Sequence, residues 1–270
     1  MEIITAVNEK GGVGKTTTII ALADTLKRRG YRTLVIDLDG QGNLTTHLSR
    51  RQGFLDSLTF MQWEGDIVGD NTDKKQIPIE KSEVGDLIVF NQKIDLLDSI
   101  LATEVGTKKY KLLKKAIASF KDKYDFVLVD PPARIGLAIQ NVLIASTSAV
   151  IMAEPNPYSL DGIRKIAVTL KGIKDDNPEL LVTGVLITKY RGFVTEEQVI
   201  REIKEETQSL LGCGIFENMI RNASAVNDAN DSRIPLSLLS GKGKVKAEKV
   251  IEDYELFTDE LLKKIKEGKQ

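Results

Sequence analysis

The sequence has little cysteine, little histidine and almost no net charge. Cys213 is the single cysteine of the 270 residues. A single cysteine excludes an internal disulfide framework and a cysteine-based zinc or iron–sulfur site within one chain. We therefore expect a cytoplasmic protein. Basic and acidic residues number 38 and 39, for a formal charge of −1. This balance argues against a basic coat for nucleic acid, although a local basic patch stays open.

Long hydrophobic runs are also missing. The best runs, residues 149–153 and 180–187, are far shorter than the roughly 18 apolar residues of a membrane span. Met1 and Glu2 lead directly into a strand-like run, which is unlike a signal peptide. We therefore expect no membrane span. We also expect no helix-turn-helix before the first motif, which starts at Asn8.

The apolar pattern predicts a single α/β domain over residues 1–270, since no repeat or linker interrupts it. Strands are expected at 3–7, 33–36, 87–90, 126–129, 149–152 and 181–187. Helices are expected at 16–29, 96–103, 108–121, 136–145, 159–174, 195–211 and 246–266, and residues 54–82 as an irregular rim. Continuously apolar strands that alternate with helices are typical of a mostly parallel, doubly wound sheet with helices on both faces.

A glycine-rich motif, N-E-K-G-G-V-G-K-T-T at residues 8–17, joins the first strand to the first helix. Its glycines let backbone N–H groups converge on phosphate oxygens at the helix N-terminus. Lys15 is suited to the β- and γ-phosphates, and the Thr16 hydroxyl to Mg²⁺. The predicted phosphate-binding residues are Lys10, Gly11, Gly12, Val13, Gly14, Lys15, Thr16 and Thr17.

Carboxylates follow two of the predicted strands. Asp37 and Asp39 follow the second strand, and Asp130 follows the strand at 126–129. Residues two apart on a strand share a face, and ligands of open parallel sheets lie at the carboxyl edge. Asp37 and Asp39 can therefore both point toward a metal ion and an attacking water. We predict that Asp130 holds the water shell of Mg²⁺, together with Thr16. Ordinary strand-ending turns are the alternative.

The loop departs from the common G-x-x-x-x-G-K-[ST] pattern, because Glu9 stands in place of the first glycine. The form K-G-G-x-G-K-T resembles the deviant Walker A ATPases, the P-loop family of the ParA/Soj partition proteins and the septum-site protein MinD. The resemblance spans nearly the whole chain. It implies an ATP-dependent homodimer in which Lys10 reaches across to the partner's phosphates. Lys10, Lys15 and Asp39 are then the catalytic residues, and ATP and Mg²⁺ the cofactors.

In the second motif, the resemblance implies that Asp39 positions or activates the attacking water and that Asp37 supports the Mg²⁺ shell. Gly40 replaces the proline usual in the family. Residues 154–162 resemble a family segment near the nucleotide, and this makes Pro155 a cofactor-binding candidate. Met219, within residues 219–222, is a candidate for the base pocket, as are Thr188 and Lys189.

Late basic residues resemble those with which partition ATPases contact the DNA backbone without sequence preference. The candidates are Arg191, Arg221, Lys242, Lys244, Lys246 and Lys249. The stretch 240–244 is expected to be flexible enough to follow phosphates. A two-fold dimer doubles such a patch, which offsets the near-neutral charge of the monomer.

The resemblance therefore implies a DNA-partition ATPase with slow intrinsic turnover, activated by a ParB-like protein and nucleoid-associated when ATP-bound. The alternative is a MinD-like membrane-positioning ATPase. An apolar stripe on the last helix has two interpretations, a membrane-targeting face or a face that packs in the core. Core packing is the favoured interpretation, and it would leave no apolar face of this helix for a membrane. The stripe consists of Tyr254, Phe257, Leu261, Leu262 and Ile265.

Overall fold

A computed structural model describes residues 1–49, 79–89, 110–134 and 136–269. The helix predicted at 96–103 lies outside the described residues, as does most of the segment 54–82.

The described strands form one seven-stranded sheet. They are β1 (Glu2–Val7), β2 (Thr33–Asp37), β3 (Glu80–Ser82), β4 (Gly85–Val89), β5 (Phe126–Asp130), β6 (Ser148–Ala153) and β7 (Leu181–Ile187). Their order is β3-β4-β2-β5-β1-β6-β7. Every neighbouring pair is parallel except β3 and β4. The predicted α/β class with a mostly parallel sheet is confirmed, and the short antiparallel strand β3 is an addition.

Eight α-helices flank the sheet in the described part of the chain. They are α1 (Lys15–Arg28), α2 (Asn43–Leu48), α3 (Leu112–Ala118), α4 (Leu137–Ala145), α5 (Ser159–Gly172), α6 (Val194–Leu211), α7 (Ser224–Ser232) and α8 (Gly241–Glu267). Most predicted ends differ by one to four residues. The helices α2 and α7, of 6 and 9 residues, were not predicted, because such short segments show few repeats of the apolar pattern that marks a helix.

The expectation of a flexible stretch at residues 240–244 is wrong. Helix α8 begins at Gly241, and the backbone N–H groups of Gly243 and Lys244 both donate to the Ser240 carbonyl. Glycine disfavours a helix by only about 1 kcal/mol, and the long apolar stripe that follows packs against the protein and overrides this cost. Lys242 and Lys244 therefore lie on the first turn of a helix.

Alternating strand side chains supply a core on each face of the sheet. Val35 belongs to the cluster that contains Leu26 of α1 and Phe257 of α8. Its neighbours Leu34 and Ile36 belong to a cluster on the opposite face with α3 and α4. A third cluster joins β6 and β7 to α5 and α6. This alternation explains why the strands are apolar at every position.

The stripe on α8 packs in the core, as the favoured interpretation predicted. Tyr254, Phe257, Leu261 and Ile265 are at most 5% exposed. The Phe257 ring stacks edge-on against Phe216, with centroids 4.9 Å apart. The stripe is therefore not available as a membrane-binding face. None of the helices in the described ranges is long and apolar enough to span a bilayer.

We predict that Phe257→Ala lowers the free energy of unfolding by about 3–5 kcal/mol, because it leaves a cavity beside Phe216. Urea denaturation followed by circular dichroism measures the loss. Val168→Ala is the control, since Val168 is 71% exposed, and we expect a change within about 0.5 kcal/mol. Equal effects of the two substitutions would contradict the placement of α8 in the core.

Candidate functional site

The glycine-rich loop occupies residues 8–14, between the end of β1 and the start of α1. Asn8 is buried; its side-chain amide donates to the Met152 carbonyl and its Oδ1 accepts the Lys10 N–H at 2.7 Å. Gly12 and Gly14 have φ values of 75° and 93°, in the left-handed region that favours glycine. The loop is thus tied to β6 at its base and turns sharply at its tip, as a phosphate cradle requires.

The Lys15 side chain lies beneath this loop. It is buried, and its ammonium donates to the carbonyls of Asn8 at 3.2 Å and Lys10 at 3.3 Å. Burial lowers the pKa of Lys15, while the nearby carboxylates of Asp130 and Asp39 raise it. Lys15 is therefore held in the loop by weak bonds that a phosphate oxygen can replace.

Asp130 at the end of β5 faces the first turn of α1. The Thr16 hydroxyl donates to Asp130 Oδ2 at 2.7 Å. The other carboxylate oxygen, Oδ1, is buried, and no donor within the described residues reaches it. Burial raises the pKa of Asp130 well above its usual value, the neighbouring Asp37 raises it further, and the Thr16 hydrogen bond opposes them. Such an unsatisfied buried oxygen is where a cation is stabilising.

Asp37 is the register partner of Asp130 on β2 and is fully buried. Its carboxylate accepts the backbone N–H of Asp39 at 3.1 Å and that of Thr45 at 2.8 Å, and the Thr45 hydroxyl at 2.5 Å. Burial raises the pKa of Asp37 to about 6, against the lowering effect of the Thr45 bonds. Asp37 thus anchors the loop 38–42 and the start of α2. The motif analysis missed Thr45, because nothing in the sequence marks it as a carboxylate partner.

The donor set suits Mg²⁺ better than a metal that needs a full protein cage. Across the described ranges, no three His, Cys, Asp or Glu side chains are grouped to hold a metal. Mg²⁺ keeps several waters and uses one or two carboxylates together with substrate phosphates. The Thr16 hydroxyl and the carboxylate of Asp130, with the carboxylate of Asp37 beside them, are a small oxygen donor set of this kind.

A cleft of about 560 Å³ runs along this edge of the sheet. Its lining includes Gly11, Gly12, Gly14, Lys15, Thr16, Thr17 and Asp39 of the motifs. It also includes Thr188, Lys189, Arg221, Asn222 and Tyr254 from later in the chain. Pro155 and Met219 do not line it, and the Val13 side chain is buried in the core. The structure therefore assembles most of the predicted phosphate-binding residues but not the two candidates Pro155 and Met219.

Lys10 is exposed, does not line the cleft, and is paired within its own chain. Its ammonium is 2.9 Å from Glu154, whose other oxygen is 2.6 Å from Lys189. Burial alone would raise the pKa of Glu154, but hydrogen bonds from Lys189 and Lys10 outweigh it and the pKa lies below its ordinary value. Glu154 thus connects the phosphate loop to the end of β7.

The candidate DNA-binding residues differ in their surroundings. Arg191, Lys242 and Lys244 are exposed. Lys246 is 3.6 Å from Asp228, and Arg221 is held by Asp253. Lys249 is exposed too. Arg221 also lines the cleft, unlike the four candidate lysines of α8.

The fold and the glycine-rich loop with its facing carboxylates define a P-loop nucleotide-binding protein. Residues 1–182 match a family model described as an AAA domain. The chain is 33% identical over 206 residues to the sporulation initiation inhibitor protein Soj of Bacillus subtilis. The aligned region covers 76% of this chain and 79% of Soj. The chain belongs to the ParA/Soj family of ParA/MinD-type ATPases, as the motifs predicted.

Two solved structures show the same fold at low identity. An ATP complex of a McdA variant from Cyanothece superposes with a TM-score of 0.77 at 19% identity, over 97% of this chain and 96% of that one. Cobyrinic acid a,c-diamide synthase from Mycobacterium smegmatis, with bound ADP and magnesium, superposes with a TM-score of 0.71 at 21% identity. That match covers 93% of each chain.

We predict that Thr45→Val lowers the free energy of unfolding by about 1.5–3 kcal/mol, because it removes a hydroxyl donor from the buried Asp37 carboxylate. Thr46→Val is the matched control, on the same helix but exposed. Urea denaturation at neutral pH compares the two. Equal losses would show that the effect comes from α2 itself and not from Asp37.

Proposed function

We propose that this protein is an ATP-dependent DNA-partition ATPase. ATP closes a homodimer, the dimer binds DNA without sequence preference, and hydrolysis stimulated by a ParB-like partner releases it. The observation that carries the proposal is the Thr16–Asp130 contact beneath a glycine-rich loop that holds Lys15. Kinship with Soj supports the partition role.

In the proposed mechanism, the loop N–H groups and Lys15 bind the phosphates at the N-terminus of α1. Thr16 and Asp130 are the residues that would hold Mg²⁺, with Asp37 behind them. Bound there, Mg²⁺ would supply positive charge for the phosphates. ATP and Mg²⁺ as cofactors fit the bound groups of the two solved structures.

Asp39 is the residue proposed to orient the attacking water. It lies after β2, lines the cleft, and accepts the Gln41 N–H at 3.1 Å. Lys10 is proposed to reach the phosphates of the partner subunit, where a cation stabilises charge at the γ-phosphate. Because Lys10 is paired with Glu154 in this chain, it has to leave that carboxylate first. Turnover by a lone subunit is then slow.

The proposed DNA surface is the first turns of α8, with Lys242, Lys244 and Lys249 exposed. Arg191, also exposed, belongs to the same proposal. A dimer doubles the positive charge that faces the DNA backbone, and each neutralised phosphate adds to the salt dependence of binding. Nucleoid association follows from this, and membrane binding is disfavoured because the stripe of α8 is buried.

The test is binding of the purified protein to random duplex DNA with ATP, with ADP and without nucleotide, at two salt concentrations, with dimerisation followed by light scattering. We expect dimers and salt-sensitive DNA binding with ATP alone. Asp39→Ala is expected to keep both and to abolish phosphate release. Combined Lys242→Ala and Lys244→Ala is expected to lower the salt dependence, by about 0.9 in log–log slope for each phosphate that the variant no longer neutralises.

Lys263→Ala with Lys266→Ala is the matched control, because it removes the same charge from the other end of α8. ATP-dependent dimers that ignore DNA but sediment with liposomes would favour the MinD-like alternative and overturn the partition role. Retained hydrolysis in Asp39→Ala would remove Asp39 from the mechanism.

The Glu154 ion pair generates a separate prediction. We expect Glu154→Gln to lower the dimer dissociation constant in ATP by about fivefold, because a partly exposed ion pair that restrains Lys10 costs at most about 1 kcal/mol to break. Analytical ultracentrifugation at a series of protein concentrations measures it.

Glu9→Gln is the control for this prediction. It breaks the neighbouring 2.8 Å ion pair with Lys165 and leaves Lys10 paired, so the dissociation constant should not change. Weaker dimers in Glu154→Gln would show the opposite, that Glu154 orients Lys10 for its partner.

A further inference from the structure

Arg221 was predicted to contact DNA, but its side chain is already engaged. Its guanidinium donates to both carboxylate oxygens of Asp253, from Nε at 2.6 Å and from Nη2 at 2.5 Å. Its backbone N–H donates to the same carboxylate at 3.0 Å. Asp253 lies on α8, and its side chain is only 9% exposed. The carboxylate is buried and the Arg221 side chain is 41% exposed. A bidentate ion pair of this kind fixes position as well as charge.

The ion pair holds a segment that forms one wall of the cleft. Residues 220–222 run beside the end of β7: Ile220 N–H donates to the Ile187 carbonyl at 2.9 Å, and Asn222 N–H to the Tyr190 carbonyl at 2.8 Å. Ile220, Arg221, Asn222 and Ala223 all line the cleft. Without Asp253, these backbone bonds alone would set the position of this wall.

The next residue of α8 contacts helix α1. Tyr254 is buried, lines the cleft, and its hydroxyl lies 3.4 Å from the Thr18 hydroxyl on α1. Two adjacent residues of α8 thus contact different parts of the site: Asp253 contacts the segment 220–222, and Tyr254 contacts α1, the helix that follows the phosphate loop.

The sheet order indicates which end of a nucleotide this wall meets. The strands β2 and β5, with Asp39 and Asp130, lie on one side of β1, and β6 and β7 lie on the other. A triphosphate whose terminal phosphate faces those carboxylates extends its nucleoside toward β7. The segment 220–222 therefore faces the nucleoside and not the phosphates.

We propose that Asp253 and Arg221 are positioning residues for the nucleoside end of the bound nucleotide, and that Arg221 is not a DNA contact. The inference rests on the proposed binding of ATP. It assigns to helix α8 a role in nucleotide affinity that its lysines do not share.

The test compares Asp253→Asn and Arg221→Gln with Asp259→Asn. Asp259 is the matched control, because it lies on the same helix and pairs with Arg29 at 2.6 Å, but its side chain is 63% exposed. Affinities for ATP, GTP and inorganic tripolyphosphate are measured by competition against a fluorescent ATP analogue, with thermal unfolding recorded for each variant.

We expect Asp253→Asn and Arg221→Gln each to weaken ATP binding by about tenfold or more, as loss of a charged hydrogen bond predicts. We also expect less discrimination between ATP and GTP. Tripolyphosphate touches only the phosphate loop, so its affinity is expected to be unchanged. The double variant should lose no more than the worse single one, because both act through one ion pair.

DNA binding at saturating ATP distinguishes the proposed positioning role of Arg221 from a direct contact with DNA. Arg221→Gln is expected to keep the affinity and salt dependence of the wild-type dimer, whereas Lys244→Ala is expected to weaken DNA binding and leave ATP affinity unchanged.

Several results would overturn the inference. Unchanged ATP affinity in both variants would remove the positioning role. Equal weakening of ATP and tripolyphosphate would show a general structural effect. Loss of DNA binding in Arg221→Gln with normal ATP affinity would restore Arg221 as a DNA contact. Failure of the wild-type protein to bind ATP would instead refute the proposed function itself, and so the two failures are distinguishable.

Discussion

Two carboxylates buried side by side, Asp37 and Asp130, are the constraint on which the rest of the site depends. They end adjacent strands in register, and both are at most 1% exposed. Buried like charges are costly unless donors or cations surround them. Thr16, Thr45 and the Asp39 N–H supply donors, and Lys15 lies close enough to interact. Each donor belongs to a different loop or helix, so satisfying the pair fixes the geometry of the whole edge.

The same constraint accounts for the chemistry that the site favours. Burial and the neighbouring Asp37 raise the pKa of Asp130, and Asp130 keeps one buried oxygen without a donor from the described residues. A cation is more favourable there than in water, and a phosphate group is favourable at the adjacent helix N-terminus. The two lysines of the loop differ: Lys15 is buried beneath it, whereas Lys10 is exposed and paired with Glu154. The proposed roles, Lys15 for the phosphates of its own subunit and Lys10 for those of a partner, match this difference.

Helix α8 carries three groups of residues along its length. Its first turns present the exposed lysines, Asp253 and Tyr254 contact Arg221 and Thr18, and Phe257 and the residues after it pack in the core. A helix is rigid over such distances, because each turn is hydrogen-bonded to the next. Under the proposed function, this rigidity is a physical basis for linking the nucleotide site to the lysine-bearing end.

Local pattern was enough to predict the sheet, the phosphate loop and the carboxylates at strand ends, because strand periodicity and glycine-rich turns are properties of neighbouring residues. It was also enough to place the apolar stripe of α8 in the core. The partners Asp37–Thr45, Lys10–Glu154 and Arg221–Asp253 were decided by the tertiary structure. Residues far apart in sequence, or polar residues without periodicity, become neighbours only when strands and helices pack. Composition identified the charged groups, and packing determined which of them are buried, paired or free to bind.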